Sequence, residues 1–418
     1  MERVLVMSDS FAALRHRDFR VYIGTRLFFT FAYQMQTVIT GFYIYHLTNS
    51  VFLLGLFGLF EAVPAIIVSL YGGYVADKSE KRKVLLWIYT AVLLFSLVMS
   101  GVTMTSVRSY ISFGAIIKII FFLVFCNGVA RAFLGPANFT IYTDSLPKDA
   151  YANGNSWNST IRQAGSILGP AVGGMVYGYF GITAALGLIV IFILIALITA
   201  CFLKKYPPAF IPKENFWKSL AEGIQFVFRN KMMLGAMSLD LFSVFFGGFV
   251  ALLPVFANDI LKVGPQGLGL MRAAGSAGAI LVMLLMTKYS PMNKPWRNLL
   301  LAITGFGLSI ICFGLSKNFY WSLFLLFASG GFDSINMLIR GTIMQLLTPE
   351  TMRGRVSAVT SMFIDSSNEI GDFESGTVAG FIGTIPAVIF GGCMTLLVVG
   401  VTYYKTKKFL LLTVEDIH

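Results

Sequence analysis

The sequence has few charged residues, cysteines and histidines for its length of 418 residues. Only 12% of the residues are Asp, Glu, Lys or Arg, whereas a soluble globular domain carries about 25%. Because 56% are hydrophobic, the composition excludes an ordinary soluble protein and indicates an integral membrane protein. The four cysteines form no Cys-x-x-Cys pair and the three histidines are dispersed, so we expect no metal and no redox site.

The sequence also lacks a phosphate-binding loop of the form Gly-x-x-x-x-Gly-Lys-Ser/Thr, which argues against an ATP-driven pump. Its net charge of +12 comes from short basic stretches between apolar segments, so nucleic acid is not an expected partner. We expect no cofactor and no catalytic residue. The N-terminal residues contain no short apolar core with a small-residue cleavage site, so no removable signal peptide is predicted.

The apolar residues form twelve segments, each long enough to cross a bilayer as a helix of roughly 20 residues. The predicted spans are 19–45, 51–76, 84–104, 112–136, 153–178, 181–203, 232–257, 267–288, 298–316, 319–347, 356–382 and 385–404. Lys and Arg are concentrated at the N-terminus, in the loops after even-numbered spans and in the tail. This distribution places both termini in the cytoplasm.

A polar connection divides the chain into two similar halves. The predicted domains are an N-terminal six-helix half (1–203), a cytoplasmic central loop with an amphipathic helix (204–231), a C-terminal six-helix half (232–404) and a cytoplasmic tail (405–418). A shift of 202 positions aligns Gly169 with Gly371 and Gly174 with Gly376. The predicted fold is an all-α membrane protein with twelve transmembrane helices in two pseudo-repeats, an arrangement that places a substrate cavity near the bilayer midplane.

The fifth predicted span contains an unusual glycine-rich stretch, Gly165-Ser-Ile-Leu-Gly169-Pro170-Ala-Val-Gly173-Gly174. Gly165, Gly169 and Gly173 are four residues apart, so they form one smooth face on which another helix can pack closely. Pro170 predicts a kink beside this face. A generic helix-packing face explains the glycine spacing by itself.

The loop after the second span reads Gly72-Gly73-Tyr-Val-Ala-Asp77-Lys78-Ser-Glu-Lys81-Arg82-Lys83. Its aspartate can accept hydrogen bonds from a helix N-terminus, and its basic residues favour the cytoplasmic side. An ordinary loop rich in positive charge is the alternative interpretation.

Taken together, the glycine-rich stretch and this loop resemble two motifs of the major facilitator superfamily. The former is similar to the antiporter motif on the fifth helix of proton-coupled exporters, and the latter to the signature loop between helices 2 and 3, although Glu80 stands where that signature usually has glycine. Stretches beginning at Arg131, Pro349 and Ser367 resemble the bacterial branch that contains the enterobactin exporter and the macrolide efflux proteins. The resemblance implies a cytoplasmic gate formed by Gly73, Asp77, Lys78, Lys81 and Arg82. It also implies that Gly165, Gly169, Pro170, Gly173 and Gly174 seal the transporter against uncoupled leak.

Charged residues inside the predicted spans are a second indication of function, because a charge at the bilayer centre costs several kcal/mol. Burial raises the pKa of a carboxylate, so such a group can exchange protons near neutral pH. The leading candidate is Glu61, about ten residues into the second span and near the midplane. The further proton-coupling candidates are Asp240, Asp365 and Glu369, and the last two share one helical face with Asp372.

Other polar side chains in the spans are candidates for a substrate cavity, because a polar group in lipid needs a partner. They are Gln34, Gln36, Arg162, Asp333, Asn336, Arg340 and Asn368. Asp333 and Arg340 lie seven residues apart on one helical face, so a purely structural ion pair between them is an alternative.

The sequence therefore predicts a monomeric secondary transporter of the bacterial inner membrane that works by alternating access. Its predicted partners are membrane lipid, protons and a small amphipathic compound of siderophore, drug or macrolide type, exported in exchange for protons with the proton gradient as energy source. An importer or facilitator of the same fold is one alternative. A non-transporting membrane protein, such as a sensor or a lipid scramblase, is another.

Overall fold

The structure is a computed structural model that describes residues 11–104, 107, 109–147, 150–205, 216–289, 291–349 and 352–412. These ranges are almost entirely helical and contain no β-strand. The first helices are α1 (Arg17–Thr48), α2 (Val51–Lys78), α3 (Lys81–Thr103), α4 (Phe113–Asp144), and α5 (151–180) with α6 (182–200), which share the stretch Tyr151–Ala200. The others are α7 (Phe216–Arg229), α8 (Lys231–Phe246), α9 (Gly264–Lys288), α10 (Pro295–Leu315), α11 (Phe319–Leu347), α12 (Arg353–Ile382) and α13 (Thr384–Lys405).

Gly181 separates α5 from α6, where the sequence predicts the fifth span to end and the sixth to begin. Its φ of 82° and ψ of 174° belong to a region that essentially only glycine adopts. The stretch Tyr151–Ala200 contains 50 residues, about 75 Å of helix at 1.5 Å per residue. Since the hydrocarbon core of a bilayer is about 30 Å thick, this stretch supplies two spans.

Nine helical stretches in the described ranges are long and apolar enough to cross a membrane, and one of them is the 48-residue segment Asn153–Ala200 that holds both α5 and α6. The helices α1 and α12 are not among the nine, although they have 32 and 30 residues. Both carry several charged and amide side chains, which lower their hydropathy. With these two helices counted, the architecture is the predicted all-α fold with twelve spans, and α7 is the predicted amphipathic helix.

Two spans differ from their predicted form. The fourth is predicted to end near Pro136, but α4 continues to Asp144, because a membrane helix tolerates an internal proline. The seventh begins as α8, whose first turn is capped by the Asn230 side chain accepting from the backbone N–H groups of Met232 and Met233. Beyond α8 it becomes irregular, with a 3₁₀ turn over Phe249–Leu252 and a π-helical turn over Phe256–Ile260.

The chain folds into two compact units. The first comprises Met1–Ile39 and Val63–Ile211, and the second comprises Thr40–Ala62 and Pro212–His418. The end of α1 and the first half of α2 therefore group with the second unit, although both helices begin a half that the sequence assigns to 1–203. The domain boundaries predicted from the sequence stay a prediction.

The segment Thr40–Ala62 makes close contacts inside the second unit. Gly55 on α2 lies directly against Gly376 on α12, and a Cβ atom added to Gly376 would stand 2.5 Å from the Cα of Gly55. At the end of α1, the Tyr45 hydroxyl donates a hydrogen bond to the Asp259 carboxylate. Glycine on both sides of a helix contact lets two backbones approach within a distance that no side chain permits.

Candidate functional site

The second unit contains a buried polar cluster formed by α8 and α11. The amide Nδ2 of Asn336 donates to Oδ1 of Asp240 at 2.7 Å, and the guanidinium of Arg340 donates to Oδ2 of the same carboxylate in a buried ion pair. Asp240 and Asn336 are each 3% exposed, and Arg340 is 6% exposed. Asp333, one turn before Asn336, interacts electrostatically with Asp240 and Arg340 and with the amide of Asn336. We call these four residues the α8–α11 cluster.

Local sequence and packing explain why this cluster forms. Asp333, Asn336 and Arg340 are spaced by three and four residues, so they share one face of α11. Leu239 and Ile339, the chain neighbours of Asp240 and Arg340, belong to a buried apolar core that also includes Trp296 and Ile343, whereas Asp333 is only partly buried. A charge in such a core is tolerated only when it is paired and hydrogen-bonded, which the contacts between α8 and α11 achieve.

The α8–α11 cluster contains two carboxylates and one guanidinium. One cation balances one carboxylate, so the second must be balanced by a proton, by a cationic group or by water. In the part of the chain that the structure describes, Oδ1 of Asn336 is a buried acceptor without a hydrogen-bond partner. Buried acceptors are normally satisfied, so this atom offers a place for a donor from water or a bound compound.

The structure therefore brings together four residues that the sequence places in two separate candidate groups. Asp240 is a predicted proton-coupling residue, and the other three are predicted cavity residues. The guanidinium of Arg340 pairs across the helix interface with Asp240. The seven residues that separate it from Asp333 correspond to about 10 Å along the helix axis, which explains why the intrahelical pair is not the main contact.

A second charged group lies between α9 and α12. Arg272 and Asp372 attract each other electrostatically, and a Cβ atom added to Gly58 on α2 would lie 3.5 Å from the Cβ of Asp372. Arg272 is not predicted as a site residue, although a basic residue eight positions after the start of α9 is a usable signal. The side chains of Asp365 and Glu369, the other two acids of this face, lie outside the described residues.

In the first unit, the glycine face of α5 packs against α1. A Cβ atom added to Gly165 would stand 2.5 Å from Cγ2 of Thr30, and one added to Gly169 would stand 2.8 Å from the Cβ of Gln34. The third glycine, Gly173, continues this contact at 3.3 Å from Met35. Pro170 and Gly174 are buried in the same helix. The geometry is that of a close helix contact, and its role in preventing leak stays a prediction.

The remaining polar candidates lie in different surroundings. Gln36 is buried, with its Oε1 accepting from the Ser96 hydroxyl at 3.0 Å, and its Nε2 finds no hydrogen-bond partner among the described residues. Glu61 is 4% exposed in α2. In contrast, Arg162 is exposed on α5, and Asn368 is exposed with its amide donating to the Ile364 carbonyl of its own helix. Gln36 and Arg162 belong to the first unit, and the functional roles of these four residues stay predictions.

Two of the predicted gate residues have described side chains. Lys81 is fully buried and its Nζ donates to the carbonyl oxygen of Ser79 at 3.3 Å. Arg82 donates from Nη2 to the carbonyl oxygen of Cys201 at 2.6 Å, so it caps the C-terminal end of α6. The side chains of Asp77 and Lys78 and the surroundings of Gly73 lie outside the described residues.

Known proteins resemble this chain along nearly its whole length. A family model described as transmembrane secretion effector matches residues 8–412. The enterobactin exporter EntS of Shigella boydii serotype 4 (strain Sb227) is 25% identical over 394 residues, which cover 92% of this chain and 91% of that exporter. A solved structure of a variant of the nucleoside transporter NupG superposes on this chain with a TM-score of 0.73 at 13% identity, covering 93% of this chain and 100% of that chain.

A bacterial homologue of the human lysosomal transporter Spinster gives a TM-score of 0.69 at 15% identity, with 94% of this chain and 98% of that chain covered. At such low identity, the solved structures show the shared fold alone. The family match, by contrast, spans both units, and the apolar helices make the chain a multi-pass inner-membrane protein. This chain therefore belongs to the transmembrane secretion effector family, whose members are membrane transporters of the major facilitator superfamily.

Proposed function

We propose that the protein is a secondary active exporter that moves a small amphipathic compound outward in exchange for protons. The observation that carries this proposal is the α8–α11 cluster, in which two carboxylates and a single guanidinium lie together beside an apolar core. The similarity to an enterobactin exporter supports the export direction and a siderophore as the first compound to test. Drugs and macrolide-like compounds are the next candidates.

In this proposal, Arg340 keeps Asp240 ionised, and Asp333 carries the exchangeable proton. The protonated cluster is neutral overall, whereas loss of the proton leaves one uncompensated negative charge in a medium of low dielectric. Two conformations that differ in water access to the cluster would then differ in proton affinity. Proton binding thereby shifts the conformational equilibrium, which is the requirement for coupling a gradient to transport.

Several parts of the proposal rest on the sequence. They are Glu61 as the leading proton site predicted from the sequence, with Asp365 and Glu369 as further proton sites, and a cytoplasmic gate at Gly73, Asp77, Lys78, Lys81 and Arg82. Cytoplasmic termini, alternating access as a monomer and the proton gradient as energy source also rest on the sequence. The basic residues of the loops favour the cytoplasmic placement of both termini.

Inside-out vesicles give a direct test of exchange. Vesicles with an acid lumen are expected to accumulate siderophore, because protons leaving the lumen drive the compound inward across the inverted membrane. Collapse of the pH gradient by an uncoupler should abolish the accumulation. An importer would accumulate the compound under the opposite gradient. Uptake that does not respond to pH would contradict antiport, and vesicles without uptake of siderophores, drugs or macrolides would favour a non-transporting protein.

The glycine face of α5 permits a separate prediction about leak. Gly169→Ala is expected to raise the passive proton permeability of vesicles severalfold and to cost about 1–3 kcal/mol of stability, because the new methyl group must separate α5 from α1. The matched control is Gly187→Ala on α6, where a Cβ atom would meet nothing within 4 Å. A pH-sensitive dye in substrate-free vesicles measures the leak. Equal leak in the two variants would refute a sealing role for this face.

A further inference from the structure

A groove on the first unit runs between α3 and α4, and none of its lining residues belongs to the α8–α11 cluster. Its volume is about 620 Å³, within the range of pockets that hold small organic molecules. One end is polar and is formed by Ser79, Glu80 and Lys83, and the rest is lined by apolar side chains such as Trp87, Ala91 and Phe133. The groove therefore has a charged mouth and an apolar interior.

The dimensions of the groove match one leaflet of a bilayer. Its lining extends from Glu80, the residue before α3, to Ala91, a rise of eleven residue steps or about 16 Å. This length is about half of the 30 Å hydrocarbon core. Because α3 begins at Lys81, the charged mouth lies at a membrane boundary and the apolar end lies near the midplane.

The charges at the mouth select among lipid headgroups. Nζ of Lys83 lies 3.3 Å from Oε2 of Glu80, and the Lys83 side chain is 70% exposed. An ammonium and a carboxylate thus stand side by side at the entrance. A headgroup with one phosphate and one primary ammonium matches both charges, whereas an anionic headgroup would meet the repulsion of Glu80.

We propose that this groove binds a phospholipid of the phosphatidylethanolamine type. Its phosphate contacts Lys83, its ammonium donates to Glu80, and one acyl chain lies along Trp87 and Ala91 towards the midplane. A quaternary ammonium cannot donate a hydrogen bond, so phosphatidylcholine lacks the contact with Glu80. The site stands independently of the proposed transport reaction, since none of the lining residues takes part in it.

The test uses the full-length protein in nanodiscs that contain equal parts of phosphatidylethanolamine, phosphatidylglycerol and phosphatidylcholine. After the protein is released from the nanodiscs, native mass spectrometry identifies which lipids stay bound to it. Wild-type protein should retain phosphatidylethanolamine in preference to the other two lipids. Glu80→Gln and Lys83→Gln should each reduce this retention about tenfold, the equivalent of one charge-assisted hydrogen bond.

A steric pair of variants tests the apolar part of the groove. Ala91→Trp should abolish retention because the indole fills the groove from its open side. Leu94→Trp, at a 57% exposed position of α3 outside the lining, should retain lipid as the wild type does.

Alkylation of Cys126, an exposed thiol in the lining, gives a second readout in a variant with serine at the other three cysteines. The thiol should react more slowly in phosphatidylethanolamine than in phosphatidylcholine. Equal retention of the three lipids, preference for phosphatidylglycerol, or unchanged retention in Ala91→Trp would overturn the proposal.

Discussion

Replacing Arg340 by glutamine is expected to abolish proton-driven transport and to lower the free energy of unfolding by about 3–5 kcal/mol, the usual cost of removing one partner of a buried ion pair. Asp240 and Asp333 would then interact without the guanidinium that now compensates one of them. The cluster would respond by holding a proton permanently. A group that never releases its proton cannot couple a gradient to transport. Thermal unfolding of the purified protein and flux into inverted vesicles measure the two effects.

Two further variants separate the structural from the functional effect of this residue. The double variant Asp240→Asn with Arg340→Gln removes both charges, so it should regain most of the lost stability without regaining transport. Arg340→Lys keeps the charge but loses the planar fork of donors, and intermediate stability is expected. Transport at the wild-type rate in Arg340→Gln would contradict the coupling role, and unchanged stability would contradict the buried pair.

The second large effect is expected from Gly376→Ala on α12. A methyl group there would meet the backbone of Gly55, with the Cα at 2.5 Å and the nitrogen at 2.9 Å. Backbone atoms cannot rotate away as a side chain can, so α2 and α12 must separate. We expect a loss of about 1–3 kcal/mol of stability and a loss of transport that exceeds the loss of folded protein.

The matched control lies one turn further along the same helix. At Gly380 a Cβ atom would meet only the Cβ of Phe52, at an ordinary distance of 3.8 Å. Gly380→Ala should therefore leave transport unchanged and stabilise the helix by up to about 1 kcal/mol. If both alanine variants behaved alike, the close approach of Gly55 and Gly376 would have no role. Vesicle flux normalised to the amount of folded protein distinguishes these outcomes.

Most of the fold could be predicted from the sequence, because apolar length separates most membrane spans from loops. The two helices of lower hydropathy, α1 and α12, required the pattern of basic loops as well. The boundary near Gly181 follows from an apolar stretch that is too long for one span. The contacts within the α8–α11 cluster could not be predicted in this way. Arg340 and Asp240 are 100 residues apart in the chain, and no periodicity in either helix indicates which helix the other will face. The same reason applies to Arg82, which caps a carbonyl 119 residues away.

The predictions about polar side chains in the spans depended on estimating depth in the membrane from position in the sequence. Arg162 and Asn368 are both exposed, and the Asn368 amide donates to a carbonyl oxygen of its own helix, so their place in a substrate cavity stays a prediction. Position along a helix gives depth, but it does not give the face that a neighbour covers. The reverse applies to Gly55, which no motif singles out and which lies directly against Gly376 on α12.

The contact between Gly55 and Gly376 has a thermodynamic consequence beyond its short distance. Ordering a long side chain at an interface costs up to about 2 kcal/mol of rotamer entropy, whereas glycine has no rotamers to lose. Two bare backbones can therefore come together and part without any side chain being frozen or released. Separating or rejoining such a surface therefore carries little rotamer-entropy cost.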